Sequence, residues 1–168
     1  MFQKDEYVFY GSGGICKISD IQTSPLEGMP ADREYYVMQS IHDKNGTMYI
    51  PVDNDKVFLR RLLSREEAET LLERIPSIEI ITEENAKLLR AKYLEAMRTY
   101  QPSEWVRVIK TVYFRANDPG RQRQRLSETE RNIAESAKRY LCTELSLSLG
   151  RPTADLEAYL LENVKKMA

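Results

Sequence analysis

The chain has 168 residues, 42% of them hydrophobic and 30% charged, with a formal net charge of −1. That length suits one domain or two small ones, and no window approaches the ~18 consecutive apolar residues of a membrane span. The opening MFQKDEYVFYG lacks an apolar stretch followed by a small-residue cleavage site, so no signal peptide and a cytoplasmic home are expected.

Residues 6–63 read as strands. EYVFYG is a β-branched and aromatic run closed by Gly11, Gly13 and Gly14, and ICKISDIQ alternates Ile15, Lys17, Ser19 and Ile21 against Cys16, Ile18 and Asp20. SPLEGMPADR, with two prolines and a glycine, is a loop. REYYVMQSI and TMYIPVD flank Asn45-Gly46, a strong hairpin signal because both turn residues then take positive φ. Pro51 lacks an amide donor and belongs near a strand end or on an edge. VFLRRLL adds a last short strand. Four or five short strands in so few residues are best accommodated by a small, bent SH3-like or Tudor-like barrel.

From Ser64 the hydrophobic period changes to 3.6. Ser64-x-x-Glu67 is a capping box, Leu71, Leu72 and Ile75 share a face, and Pro76 stops the helix. IEIIT (78–82) is the expected linker between modules, with packing onto either one as the alternative. A second helix is expected from near Thr82, with Glu83 and Glu84 in its first turn and Leu88, Ala91, Leu94 and Met97 inward. Pro102 opens a third, carrying Val106, Ile109, Val112 and Tyr113, and Asn117-Asp118-Pro119-Gly120 breaks it. Ser127-x-x-Glu130, a second capping box, starts the longest helix, with Ile133, Ala137, Leu141, Leu145 and Leu149 inward and Gly150 at its end. Thr153 caps a final helix bearing Leu156, Leu160 and Val164. The expected fold class is therefore α+β: a small SH3/Tudor-like barrel over 1–63, a connecting helix and linker over 64–81, and an all-α domain over 82–168, four to five helices in all.

No enzyme constellation emerges. GSGG is not followed by the lysine and helix of a phosphate loop, so it reads as a turn. His42 is the single histidine and flanks a turn; with Cys16 and Cys142 far apart in sequence, neither a zinc site nor a disulfide framework is expected. No cofactor, metal or small-molecule substrate is implied. Charge is the richer signal. Residues 1–85 carry nine basic against sixteen acidic groups, and residues 86–142 carry thirteen basic against six acidic. Such a division points to separate partners for separate halves. The basic residues fall on the helical half: Lys87, Arg90 and Lys92, then Arg107, Lys110 and Arg115, then Arg121, Arg123 and Arg125 before the long helix, then Arg131, Lys138 and Arg139 along it. Helix starts beside arginines suit phosphate. With no motif that reads base edges, contact with DNA would be to its backbone and strongly salt-dependent. An adaptor whose basic helices hold an acidic protein is the alternative. Trp105 reads as core beside Val106 and Ile109, with an intercalating wedge as the other option.

The opening FQKDEYVFYGSGGICKISDI, the strands EYYVMQSI and GTMYIPV, the helix LRRLLSREEAETLLE and the long helix LSETERNIAESAKRYLCTELSLSLG, in that order and spacing, resemble the CarD/CdnL family of bacterial transcription regulators. The resemblance implies a non-enzymatic, cytoplasmic, nucleoid-associated monomer. Its Tudor-like domain would bind the β subunit of RNA polymerase, and its helical domain would hold promoter DNA and modulate the open complex. Lys87, Arg90, Arg115, Arg131 and Lys138 sit where the family presents DNA-facing charge, and Arg121, Arg123, Arg125 and Arg139 extend that set. Two positions depart from the pattern. Ala86 stands where well-studied members have a tryptophan wedge. Ser24 and Tyr49 fall near arginines that some members use against polymerase, which leaves Tyr35, Met48 and Tyr49 as the candidates for that interface.

Overall fold

Turn chemistry and one bulge shape the N-terminal sheet. In the computed structural model, which describes residues 1–11, 13–118 and 126–166, the strands are β1 (Tyr7–Tyr10), β2 (Gly14–Thr23), β3 (Glu34–Ser40), β4 (Thr47–Pro51) and β5 (Leu59–Arg61). They form one antiparallel sheet in the order β4-β3-β2-β1-β5. The β1–β2 turn is tight: the Gly13 amide donates to the Tyr10 carbonyl at 3.1 Å, and Gly14 takes φ 70°. At Gly13 an added Cβ would lie 2.6 Å from Tyr10 Cδ1, so the close approach requires glycine.

The β3–β4 hairpin forms, but not through the expected two-residue turn. Neither Asn45 nor Gly46 has positive φ. The connection spans residues 41–46 and is built on side-chain turns instead: Asn45 N–H donates to Asp43 Oδ1 at 3.0 Å and His42 N–H to Ser40 Oγ at 3.2 Å. Aspartate and serine offer the backbone such local partners.

Strict alternation also fails in β2. The register slips between Ile18 and Asp20, so Ile18 faces Met38 and Ile21 faces Tyr36. This bulge inserts Ser19, whose hydroxyl donates to the Val37 carbonyl at 3.0 Å, and it returns Ile21 to the face of Cys16 and Ile18. The buried cluster on that face is Val8, Cys16, Ile18, Tyr36 and Met38. Met48 and Ile50 from one edge and Leu59 from the other pack on it. All five strands therefore contribute to one small core.

The helices are α1 (Arg65–Arg74), α2 (Ala86–Arg98), α3 (Pro102–Asn117), α4 (Glu128–Leu149) and α5 (Thr153–Val164). The fold class is α+β, and the chain divides into a β unit (Met1–Leu62) and a helical unit (Leu63–Ala168) that includes α1. Among the described residues no helix is long and apolar enough to cross a membrane. Helix α1 carries its complete capping box at Ser64 and Glu67, and a 3-10 turn over Ile75–Ser77 containing Pro76 ends it. Gly150 closes α4 in the left-handed conformation at φ 65°. Helix α5 begins at Thr153 with Pro152, not Thr153, in the capping position. The hairpin of α3 and α4 forms the centre, where Trp105, Val106, Ala137, Leu141 and Leu145 are buried.

Two expectations about residues 78–98 are corrected. Helix α2 starts at Ala86 rather than near Thr82, because Asn85 caps it by accepting from the Leu88 amide at 3.0 Å. Glu83 precedes the helix and pairs with Lys92 at 3.1 Å. The inward face of α2 is Leu89, Tyr93 and Ala96, whereas Leu88 and Leu94 are exposed. Of the two options for residues 78–82, packing onto a module holds: Ile81 is buried and its amide donates to Thr111 Oγ1 at 2.9 Å, within the helical unit.

Candidate nucleic-acid interface

Helix starts and basic side chains meet in one cleft of the helical unit. The first turns of α2 and α4 open onto it, and the end of α3 forms its back. Its volume is about 630 Å³. Lys87 and Arg90, one turn apart on α2, stand exposed at its rim, and Arg115 of α3 lines it. Three of the nine sequence-predicted DNA-contacting residues are thus gathered from two helices. The positive ends of α2 and α4 add to their attraction for anions.

Arg115 is not a free surface charge. Its Nε donates to Glu130 Oε2 at 2.8 Å and its Nη2 to Oε1 at 3.4 Å, while Tyr93, itself fully buried, donates its hydroxyl to Glu130 Oε2 at 3.0 Å. Burial alone would push the Glu130 carboxyl up. The hydrogen bonds from Arg115 and Tyr93, and the arginine's charge, outweigh that and hold it below its usual range. Hydrogen bonding to Glu130 correspondingly raises the Arg115 guanidinium. The second sequence capping box is therefore mostly redirected. Ser127 Oγ accepts from the Glu130 amide at 3.1 Å, but the Glu130 carboxylate is held chiefly by Arg115 and Tyr93, with the Ser127 amide its weakest partner.

The remaining predicted contacts lie elsewhere. Arg131 and Arg139 are exposed on α4, the latter with its guanidinium 5.7 Å from the Tyr140 ring centre. Lys138 is half-buried in a separate groove with Tyr113, Glu157 and Leu161. Arg121, Arg123 and Arg125 lie outside the described residues. Trp105 is fully buried, its ring 5.6 Å from that of Tyr140, and serves the core.

Lys110, read from sequence as part of the basic surface, is buried at 2% exposure. Its ammonium donates to the carbonyls of Ile75 at 2.9 Å and Pro76 at 3.1 Å, and also to that of Ile78. Burial lowers its pKa. It satisfies the carbonyls left open where α1 ends, a role the one-dimensional charge count does not reveal.

In the β unit the three interface candidates divide between two faces. Tyr35 lies opposite Pro51 and Tyr49 opposite Val37 on one face, whereas Met48 lies opposite Met38 and packs on the core. Tyr35 is buried at 6% exposure with Arg33 over its ring, and Tyr49 is half-buried. Strand β4 is an outer strand. The Val52 amide bonds to the Glu34 carbonyl at 3.0 Å, which fixes the phase of the ladder. By antiparallel alternation Met48 and Ile50 point their amides at β3, and Thr47 and Tyr49 point theirs outward. Pro51 also falls at an outward position, so its missing donor costs the ladder nothing.

Both cysteines are buried, and burial pushes each thiol up to about 11, so neither is a thiolate near neutral pH. Among the described residues no group of three or more His, Cys, Asp or Glu is placed to hold a metal ion.

Residues 2–63 match the model of the CarD-like/TRCF RID domain family. No curated protein sequence matches the chain.

Proposed function

We propose that this chain, whose N-terminal unit is a CarD-like/TRCF RID domain, is a general transcription regulator that joins RNA polymerase to promoter DNA. The domain family interacts with the polymerase β subunit, and this links the chain to transcription. In our reading the outer edge of β4, with the half-buried Tyr49 on its flank and Tyr35 of β3 on the same face, adds as a strand to the β subunit. The helical unit, which lies outside the family match, holds the DNA backbone. Modulation of open-complex lifetime then follows from tethering DNA beside the enzyme.

The observation that carries the DNA half is the convergence of Lys87, Arg90 and Arg115 on a cleft opened by two helix N-termini. Phosphate contacts of this kind position DNA without reading its sequence, which suits a general regulator. No role in catalysis is assigned to any residue.

The test uses the full chain. Retention of RNA polymerase β, duplex binding whose logarithmic affinity falls linearly with log salt, and a changed open-complex lifetime in transcription in vitro are the expected results. Retention of β together with absent or salt-independent DNA binding would favour an adaptor that holds an acidic protein.

A further inference from the structure

We infer that the cleft takes a single unpaired nucleotide out of a DNA strand, rather than only a stretch of paired backbone. This rests on the DNA-contact reading above and specifies its ligand. At about 630 Å³ the cleft is in the size range of pockets that enclose small ligands. A groove that merely follows a phosphate chain needs no such depth.

The lining is also wrong for phosphate alone. The lining also holds apolar groups, Leu89 of α2, which is buried, and Ile133 of α4, which is half-buried. A carboxylate, Glu84, stands at the mouth, where it would repel a passing phosphate. Each group has a use if the ligand is a whole nucleotide. The phosphate meets Lys87, Arg90 and the helix starts. The base lies on the apolar floor beside the planar guanidinium of Arg115, a group that stacks on bases and is held in place here by Glu130. Glu84 accepts from an exocyclic amine, as carboxylates do from cytosine. Ala86, the first residue of α2, leaves the entrance open; a large side chain there would fill it.

The chemistry implies a base preference. Cytosine, adenine and guanine carry an exocyclic amine and thymine does not, so thymine is the poorest occupant. It also implies that the unpaired nucleotide must be available, as it is in melted, bulged or mismatched DNA.

Fluorescence anisotropy with the full chain tests this on four probes at one low salt concentration: a fully paired duplex, the same duplex with one bulged cytosine, the same with one bulged thymine, and free deoxycytidine monophosphate. The cytosine bulge is expected to bind ~10-fold tighter than the paired duplex, with the thymine bulge in between. Ala86→Trp should bring the bulged-to-paired ratio to one, a readout that general loss of folded protein would not move. Glu84→Ala should erase the cytosine-over-thymine preference. Equal binding of bulged and paired duplexes, or a cytosine preference that survives both substitutions, overturns the inference and leaves the DNA-contact reading standing. Absence of binding to every duplex removes that reading and this inference with it. Free monophosphate binding as tightly as the cytosine bulge would assign the cleft to a free nucleotide and overturn the DNA strand as its source.

Discussion

Arg115 donates to Glu130 across the gap between the end of α3 and the first turn of α4, with Nε 2.8 Å from Oε2. Both side chains are largely shielded, at 17% and 14% exposure. The pair thus fixes where the two helices meet and aims a guanidinium into the cleft. Removing one partner strands the other in a partly desolvated place, which costs more than the intact pair contributes. Glu130→Gln and Arg115→Ala should each destabilise the protein by ~2 kcal/mol. Their double mutant should lose less than the sum, as a denaturant-based double-mutant cycle would report. Strict additivity would mean that the pair is not coupled.

The same pair makes stability pH-dependent with a definite sign. The Glu130 carboxyl is held below its ordinary value in the folded protein. Its contribution is therefore fully present above the unfolded-state pKa, roughly 4.3, and is lost as pH falls through the lower folded-state value. Urea unfolding of wild type and Glu130→Gln should differ most near pH 7 and converge as the solution is made strongly acidic. A gap that stays constant down to pH 3 would remove the carboxylate from the account.

Lys87 and Arg90 are exposed and hold up no core residue. Replacing both by alanine should leave the unfolding midpoint nearly unchanged and weaken DNA binding evenly across sequences. The slope of log affinity against log salt should fall by about 2, close to 0.9 for each lost phosphate contact. An unchanged slope would move the DNA surface away from the cleft.

Sequence showed some of these features and hid others for identifiable reasons. Strand and helix existence followed from period and capping, because Ser64, Ser127 and Gly150 act locally. Helix α2 was misphased because Leu88, Ala91 and Leu94 make an apolar stripe as regular as Leu89, Tyr93 and Ala96; only packing against α3 and α4 selects between them. Glu130 read as a capping residue, and its partners Tyr93 and Arg115 lie 37 and 15 positions away in sequence. Lys110 counted toward a basic surface, and its three carbonyl partners lie more than thirty positions away. Charge composition thus located the basic half of the chain, whereas tertiary contacts decided which of its charges face solvent.

Lys110→Met should cost ~3 kcal/mol, since it leaves three carbonyls at the end of α1 and the following turn without their donor. Burial lowers the lysine's pKa in the folded state, so the unfolded chain binds the proton more tightly. Lys110 therefore adds stability as pH rises from the folded-state value towards roughly 10.4. The gap between wild type and Lys110→Met, followed by thermal unfolding, should widen over that alkaline interval. Stability equal to wild type at neutral pH would show the carbonyls to be satisfied without the ammonium.

The edge of β4 gives a test that separates backbone from side chain. Tyr49 directs its amide away from β3, so Tyr49→Pro removes an outward donor and no ladder bond. Proline already occupies the next outward position of the strand, at residue 51, which shows that this edge tolerates the ring. If polymerase β pairs along β4, the lost amide is a lost intermolecular hydrogen bond, and the ring also obstructs the incoming strand. Tyr49→Ala loses the aromatic contact but keeps the amide. Tyr49→Pro should therefore weaken β-subunit binding by at least ~10-fold relative to Tyr49→Ala, on the basis of one lost bond of ~1.5 kcal/mol together with the clash. Both variants should unfold near the wild-type midpoint in a denaturant titration. Equal binding by the two, measured by interferometry on immobilised β subunit, would show that the β subunit does not pair with the Tyr49 amide and would overturn strand addition along β4.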